Sequence, residues 1–321
     1  MSKGPPAKAS LSEPGALLNM ARWSSNIFGV PAASKAGQGQ TKEETLDRLV
    51  RRVDEDRWLA SRLAPPADRA SLIALYAFAY EIAKIPENVS DRTLAAIRLH
   101  WWRDQIEAML AGGAPDGHPA ALALRDILHT GRLPLREFTS LLETRLLDYE
   151  PEPFETWADV EAYLDGTAGA LLRLSAHALW PGGPWLSAQD QAVTAAARAW
   201  GLIGLVRALP HWTARRRTIF PRKLMERVQL SREELFAPKP GHAFVSATAA
   251  FKERAASLHK DARALAVGLP SCLFPALAYV ALVPNYLKAL QRGAGESRPD
   301  GNVPLLERQL RLIGAAAQGG L

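Results

Sequence analysis

From Thr41 onward the sequence is one helical pattern after another, and this feature constrains the fold more than any other. Apolar residues recur at three- and four-residue steps, and proline or glycine pairs such as Pro65-Pro66 separate the segments. The pattern predicts one helix over Thr41–Arg62 and a later helix that begins at Ser187 and Asp190 and ends near Pro210. Thr156 and Asp159 supply a capping-box-like start to a further helix. We find no convincing run of the alternating pattern that marks a half-buried strand. The sequence therefore predicts an all-α fold, a single-domain helical bundle over residues 41–321.

The first forty residues have a different composition. Residues 1–40 are rich in Gly, Pro, Ala, Ser and Lys, and Glu13 is their only acid. This composition predicts a disordered N-terminal tail. It lacks the unbroken apolar core of a secretory signal. The scarcity of acids is compatible with an organellar transit peptide, and a plain bacterial tail fits equally well.

Charge and cysteine content restrict the partners and the compartment. The formal net charge is +6 and the isoelectric point about 9.5, which favours phosphates or anionic lipid as partners and is too modest to indicate nucleic acid. The single cysteine, Cys272, cannot form an internal disulfide, which fits a reducing compartment. Because its neighbours in LPSCLFP are apolar, we expect a buried structural thiol.

Two apolar segments carry occasional polar residues on one helical face. The first face carries Tyr76, Tyr80, Ala83 and Glu87. The second carries Trp200, Gly204, Arg207 and His211. If these helices face each other, their polar residues line a cavity, and the chemistry of that lining decides the function.

The same two segments resemble those of squalene and phytoene synthases. ALYAFAYEIAKIPE is similar to the segment in which a DxxxD motif follows a pattern like ALYAFCR, and GLIGLVRALPHW is similar to the second Asp-rich segment of that family. The resemblance covers roughly residues 50–292 and implies a bundle of the isoprenoid synthase type around a central cavity. In the family, both Asp pairs bind Mg²⁺, which holds the diphosphate of a prenyl substrate and helps it leave.

The metal-binding centre of the family is missing here. Its four carboxylate positions fall at Ala83, Glu87, Ala208 and Trp212, and only one of them carries an acid. Glu81 lies about 160° from Ala83 on a helical wheel and should point away from the cavity. Mg²⁺ needs oxygen ligands, so we predict no metal and no cofactor, with Mg²⁺ expected only if an active synthase uses displaced ligands.

Basic residues stand where the acids are lost. They suggest an anion site without metal, although Arg207 can equally be structural and Arg215–Arg217 a solvated helix end. The candidate cavity or anion-binding residues are Tyr76, Tyr80, Lys84, Glu87, Arg207, His211 and Arg215. We predict no catalytic residue among them, because no carboxylate near in sequence would orient the imidazole of His211.

A branch of the family lacks these aspartates, and it includes a mitochondrial assembly factor of respiratory complex I with a phytoene-synthase-like domain. The present chain resembles that branch in one stretch of its sequence. There Arg207 is followed by the small residue Ala208, then by Pro210-His211, by the basic run Arg215–Arg217 and by Phe220-Pro221. The likeness implies a non-catalytic protein that acts in respiratory complex assembly or binds an isoprenoid or anionic lipid. The alternative is a head-to-head prenyl diphosphate condensing transferase.

The expected location follows from the same likeness. We expect the bacterial cytoplasm with peripheral contact to the inner membrane, or alternatively the mitochondrial matrix. The uncharged stretch Ala264–Leu287 is long enough to suggest a membrane span, but three prolines interrupt it, so buried helices are the better interpretation.

Overall fold

Helix caps and prolines place the helices where the sequence pattern predicts them. The computed structural model describes residues 42–180, 182–237, 239–292 and 301–321, so the predicted tail at residues 1–40 lies outside the described residues. The described part is helical without a β-strand, which confirms the all-α prediction. Its α-helices are α1 (Lys42–Val53), α2 (Glu55–Ser61), α3 (Pro66–Ala83), α4 (Ile85–Asn88), α5 (Arg92–Leu110), α6 (Pro119–Leu128), α7 (Leu135–Thr144), α8 (Trp157–Leu164), α9 (Ala170–Leu179), α10 (Ser187–Ala214), α11 (Arg222–Val228), α12 (Arg232–Leu235), α13 (His242–Leu265), α14 (Phe274–Leu277), α15 (Val283–Arg292) and α16 (Leu305–Gln318).

The first helical pattern, predicted as one helix over Thr41–Arg62, is divided at Asp54. Asp54 leaves the helical conformation and accepts a hydrogen bond from the backbone N–H of Arg57, which makes it the N-cap of α2. The pattern alone did not indicate this break, because apolar residues continue on both sides of it. The break matters for function, since both residues reach the central cavity.

Helix α10 is longer than predicted. We expected it to end near Pro210, but it continues to Ala214 and contains the proline. A proline removes one backbone hydrogen bond and strains the preceding turn, yet surrounding packing can hold the helix together. Trp212 and Thr213 beyond the proline are buried, so the last turn is fixed by the core. The extension carries His211 to the cavity.

A π-helical turn, Asp165–Gly169, joins α8 to α9 at a close helix contact. A Cβ atom added at Gly166 would lie 3.0 Å from the Cβ of Thr144 and closer still to its hydroxyl. Only glycine leaves room for α7 at this distance. The small residues of GTAGALLRL therefore let neighbouring helices approach.

Among the residues that the structure describes, two stretches are long and apolar enough to cross a membrane, Ser187–Ala214 and Ser271–Gln291. In each, 72% of the apolar window is buried inside the fold, so both are core elements of this structure. Cys272 differs from the prediction, because its side chain is exposed. It lies in the 3₁₀ turn Ser271–Leu273, where the apolar pattern puts Leu273 into the core and leaves Cys272 facing solvent.

Candidate functional site

A cavity of about 390 Å³ lies between α3 and α10, where the two sequence patterns predict it. Both helices are mostly buried, and each contributes one face to the wall. From α3 these are Tyr76, Ala79, Tyr80 and Ala83, and from α10 Trp200, Gly201, Gly204, Leu205, Ala208, His211 and Trp212. The size suits a small ligand or the polar part of a larger one.

Five of the seven candidate residues meet at this cavity. Tyr76 lies deep in the wall and is only 2% exposed. Tyr80 is half-buried, and Glu87, His211 and Arg215 line the cavity nearer to solvent. The arrangement places aromatic groups inside and charged groups outside.

Lys84 lies outside the cavity wall. Its ammonium group forms a 2.6 Å ion pair with Glu81 and also lies 5.3 Å from the ring centre of Tyr80. Glu81 also accepts from Lys84 and His118, and these contacts outweigh its burial and lower the pKa of the carboxyl group. Lys84 thus neutralises an acid on the outer side of α3, as the helical wheel predicts for Glu81.

Arg207 also lies outside the cavity. Its guanidinium group stacks on Tyr286 at 4.4 Å from the ring centre, on the side of α15. On a helical wheel the residues of α10 that line the cavity occupy an arc of about 140°, with Trp200 at one edge and Leu205 at the other. Arg207 falls about 20° outside the edge at Trp200. The cavity-lining face of α10 that the sequence predicted was therefore centred too close to Arg207.

The sequence patterns missed an arginine–carboxylate pair on the cavity wall. Arg57 of α2 lies 2.5 Å from a carboxylate oxygen of Asp54, and its guanidinium group lies 4.8 Å from the ring centre of Tyr279. Burial alone would lower the pKa of Arg57, but Asp54 and Tyr279 outweigh it and raise the pKa. Arg57 therefore stays charged inside the bundle.

A second such group, formed by Arg145, Asp148 and Tyr163, also lines the cavity. Tyr163 donates a 2.6 Å hydrogen bond to Asp148, and Arg145 lies 3.2 Å from the other oxygen of that carboxylate. Burial raises the pKa of Tyr163, and the charge of Asp148 adds to this, so the phenol remains a donor. These residues lie far apart in the sequence from α3 and α10, and only the i, i+3 spacing of Arg145 and Asp148 signals their pairing.

Several donors of residues that line the cavity have no hydrogen-bond partner within the part of the chain that the structure describes. They are the buried hydroxyl of Tyr76 and the Nε atoms of Arg57 and Arg145. Burial raises the pKa of Tyr76, so its hydroxyl stays protonated. A buried donor without a partner costs roughly 1–3 kcal/mol, and such groups cluster where a ligand supplies the missing acceptor.

The cavity mouth is basic. Arg215 contacts the imidazole of His211 at 2.7 Å, and Arg217 donates to the backbone oxygen of Asp148. Burial and the charge of Arg215 lower the pKa of His211, so the imidazole is neutral at pH 7 and serves as an acceptor. The mouth and the interior thus offer four guanidinium groups to an entering anion.

The residues of the cavity do not suit Mg²⁺. At the four positions where the family has carboxylates, Ala83 and Ala208 supply no side-chain oxygen and Trp212 fills space. Glu87 is the one acid at these four positions. Asp54 and Asp148 line the cavity but are already paired with arginines. Within residues 42–180, 182–237, 239–292 and 301–321, no group of three potential ligands gathers to hold a metal.

Comparison with known proteins places this geometry in a family. A sequence model described as "Squalene/phytoene synthase" matches residues 50–309. Among curated proteins, the chain is 28% identical over 264 residues to NADH dehydrogenase (ubiquinone) complex I, assembly factor 6, from Bos taurus. That match covers 82% of this chain and 78% of the relative.

Solved structures share the fold at lower identity. A dehydrosqualene synthase in complex with a ligand has a TM-score of 0.75 and 16% identity, covering 86% of this chain and 96% of the other. Squalene synthase HpnC from Alicyclobacillus acidocaldarius has a TM-score of 0.64 and 21% identity, covering 87% of this chain and 94% of the other. These similarities confirm the helical bundle of the isoprenoid synthase type.

Proposed function

The chain belongs to the squalene/phytoene synthase family, and we propose that it acts in the assembly of a respiratory complex of the complex I type rather than in prenyl transfer. One observation carries this proposal. The cavity between α3 and α10 is kept, while Ala83, Ala208 and Trp212 occupy three of the four positions where the family's carboxylates are expected. A prenyl diphosphate needs Mg²⁺ to leave, and within the described ranges of the chain no group of three potential ligands gathers to bind it.

The similarity to a complex I assembly factor supports the same proposal, because it extends over most of both chains. The expected place of action is where such a complex is built, at the cytoplasmic side of a bacterial inner membrane or in the mitochondrial matrix. The clients would be subunits or assembly intermediates of the NADH:quinone oxidoreductase.

Deleting the gene in its own host is the experiment that tests this proposal. We expect less assembled NADH:quinone oxidoreductase, measured by native gel and by NADH oxidation in membranes, while squalene- and carotenoid-type lipids stay at wild-type levels. Wild-type protein should restore the complex, and Glu87→Ala should restore it equally, because no metal chemistry depends on that carboxylate. Normal respiratory complexes with an altered isoprenoid profile would refute the assembly function.

We further propose that the cavity binds the anionic head of an isoprenoid or lipid without metal. Among the residues that the structure describes, four arginines, at positions 57, 145, 215 and 217, line it, and the hydroxyl of Tyr76 lacks an acceptor. Guanidinium groups bind phosphate through paired, charge-assisted hydrogen bonds, so they can replace a metal as the partner of a phosphate.

Titration with farnesyl diphosphate in the presence of EDTA tests this binding. Losing one charge-assisted hydrogen bond should weaken binding by roughly tenfold or more, so Arg215→Ala should raise the Kd by about that factor. Arg227→Ala, on exposed α11 and away from the cavity, is the matched control and should leave the Kd unchanged. Binding of equal strength in both variants, or none in the wild type, would count against an anion site.

A further inference from the structure

Helix α16 turns its apolar residues outward. Buried Leu312 and Ala315 mark its inner side. Leu306, Leu310 and Ile313 lie on the opposite side and are 65%, 61% and 61% exposed. The exposed positions of this face are Leu305, Leu306, Gln309, Leu310, Ile313, Ala316 and Ala317. None of them is charged, whereas a surface helix of a globular domain normally has its charges there.

The charged residues of α16 all turn inward. Glu307 accepts a 2.8 Å hydrogen bond from Asn285. Arg308 pairs with Glu55 and Asp56, and Arg311 donates to the backbone oxygen of Ala281 at 2.9 Å. These contacts fix the helix on the body of the protein with its apolar face outward. We call the exposed residues Leu306, Leu310 and Ile313 the apolar stripe.

A basic cluster lies beside this helix. Arg48, Arg51 and Arg52 of α1 are exposed, and together with Glu55 they line one shallow surface groove. Glu55 also forms the 2.6 Å ion pair with Arg308 of α16. Glu55 therefore connects the groove to α16, and the basic cluster lies next to the helix that carries the apolar stripe.

We propose that this surface docks the protein onto a membrane that contains anionic lipids. The apolar stripe enters the boundary between headgroups and acyl chains, and the basic cluster contacts the lipid phosphates. This is the arrangement by which interfacial helices bind membranes. The charge favours a membrane as the occupant, since the arginines and the net charge of +6 complement an anionic surface.

Co-sedimentation of the purified full chain with vesicles tests the proposal. The wild type should bind vesicles of phosphatidylcholine with phosphatidylglycerol and should bind pure phosphatidylcholine much more weakly. The triple variant Leu306→Gln, Leu310→Gln, Ile313→Gln should reduce partitioning by roughly a hundredfold, because it removes most of the apolar area that enters the lipid. Arg48→Gln with Arg52→Gln should reduce binding to the anionic vesicles by roughly thirtyfold.

The matched control is Leu94→Gln, which changes a leucine that is 52% exposed on α5. It should bind anionic vesicles like the wild type. A Cys272→Ser, Ile313→Cys protein with an environment-sensitive fluorophore gives a second readout and should shift to the blue on anionic vesicles. Unchanged binding in the triple variant, an equal loss in Leu94→Gln, or no blue shift would overturn the proposal. A different result would also overturn it: the wild type binds no vesicles but self-associates, and the triple variant does not self-associate. That result would assign the face to a second copy of the chain.

Discussion

Asp56→Ala is expected to destabilise the protein by about 3 kcal/mol, and to lower Tm by roughly 5–10 °C. Asp56 is 5% exposed, and its two oxygens accept from Tyr286 at 2.5 Å and from Arg308 at 2.9 Å. Alanine would leave the buried hydroxyl group of Tyr286 without its acceptor. It would also leave the mostly buried guanidinium group of Arg308 with Glu55 as its remaining carboxylate partner. The carboxylate connects α2, α15 and α16, so its loss also loosens the C-terminal helix.

Thermal and urea unfolding of the purified variants measure this effect. Asp126→Ala is the matched control, because Asp126 is 73% exposed in its pair with Arg125 and such surface pairs contribute about 0–1 kcal/mol. The stability of Asp56→Asn should lie between those of the two alanine variants, because the amide keeps one acceptor oxygen but loses the negative charge. Equal stability of Asp56→Ala and Asp126→Ala would show that the buried network does not hold α16 in place.

Local sequence patterns predicted much of the fold, because they record which side of each helix is buried. Helical spacing predicted one face for Tyr76, Tyr80 and Ala83 of α3 and Glu87 of α4, and all four line the cavity. The capping box at Thr156 and Asp159 begins α8 as expected. Such signals are local, so they need no knowledge of the neighbouring helices.

The errors arise where tertiary packing overrides the local signal. Pro210 usually ends a helix, but buried Trp212 holds the next turn of α10. Arg207 sits at the edge of the predicted face, and contact with Tyr286 decides its direction. Cys272 has apolar neighbours yet lies on the outer side of a short 3₁₀ turn.

The polar wall of the cavity was the part least accessible to sequence reasoning. Arg57, Arg145, Asp148 and Tyr163 come from three separate segments, and no pattern within one segment shows that they converge. The pairing also explains why two acids of the cavity wall, Asp54 and Asp148, are poor metal ligands, since arginines and a tyrosine already hold their carboxylates. A sequence can show that the family's carboxylates are missing, but only the fold shows where the neighbouring acids Asp54 and Asp148 lie and how they are paired.

Loss of prenyl transfer is the second large effect that we expect. A Mg²⁺ site needs oxygen ligands that are free to bind the ion, and the cavity keeps Glu87 as the one acid at the expected positions. Without the metal, the diphosphate has no electrophilic partner that helps it leave. The arginines can bind the substrate, but binding substrate and transition state equally does not accelerate the reaction.

The most direct test of this account is a turnover assay on the purified full chain with Mg²⁺ and farnesyl or geranylgeranyl diphosphate. A catalytic member of the family serves as the positive control, and EDTA and Glu87→Ala serve as the negative ones. We predict no condensed hydrocarbon by mass spectrometry and no diphosphate release above the EDTA background. Mg²⁺-dependent formation of a squalene- or phytoene-type product that Glu87→Ala abolishes would contradict the account and identify the protein as an active synthase with displaced ligands.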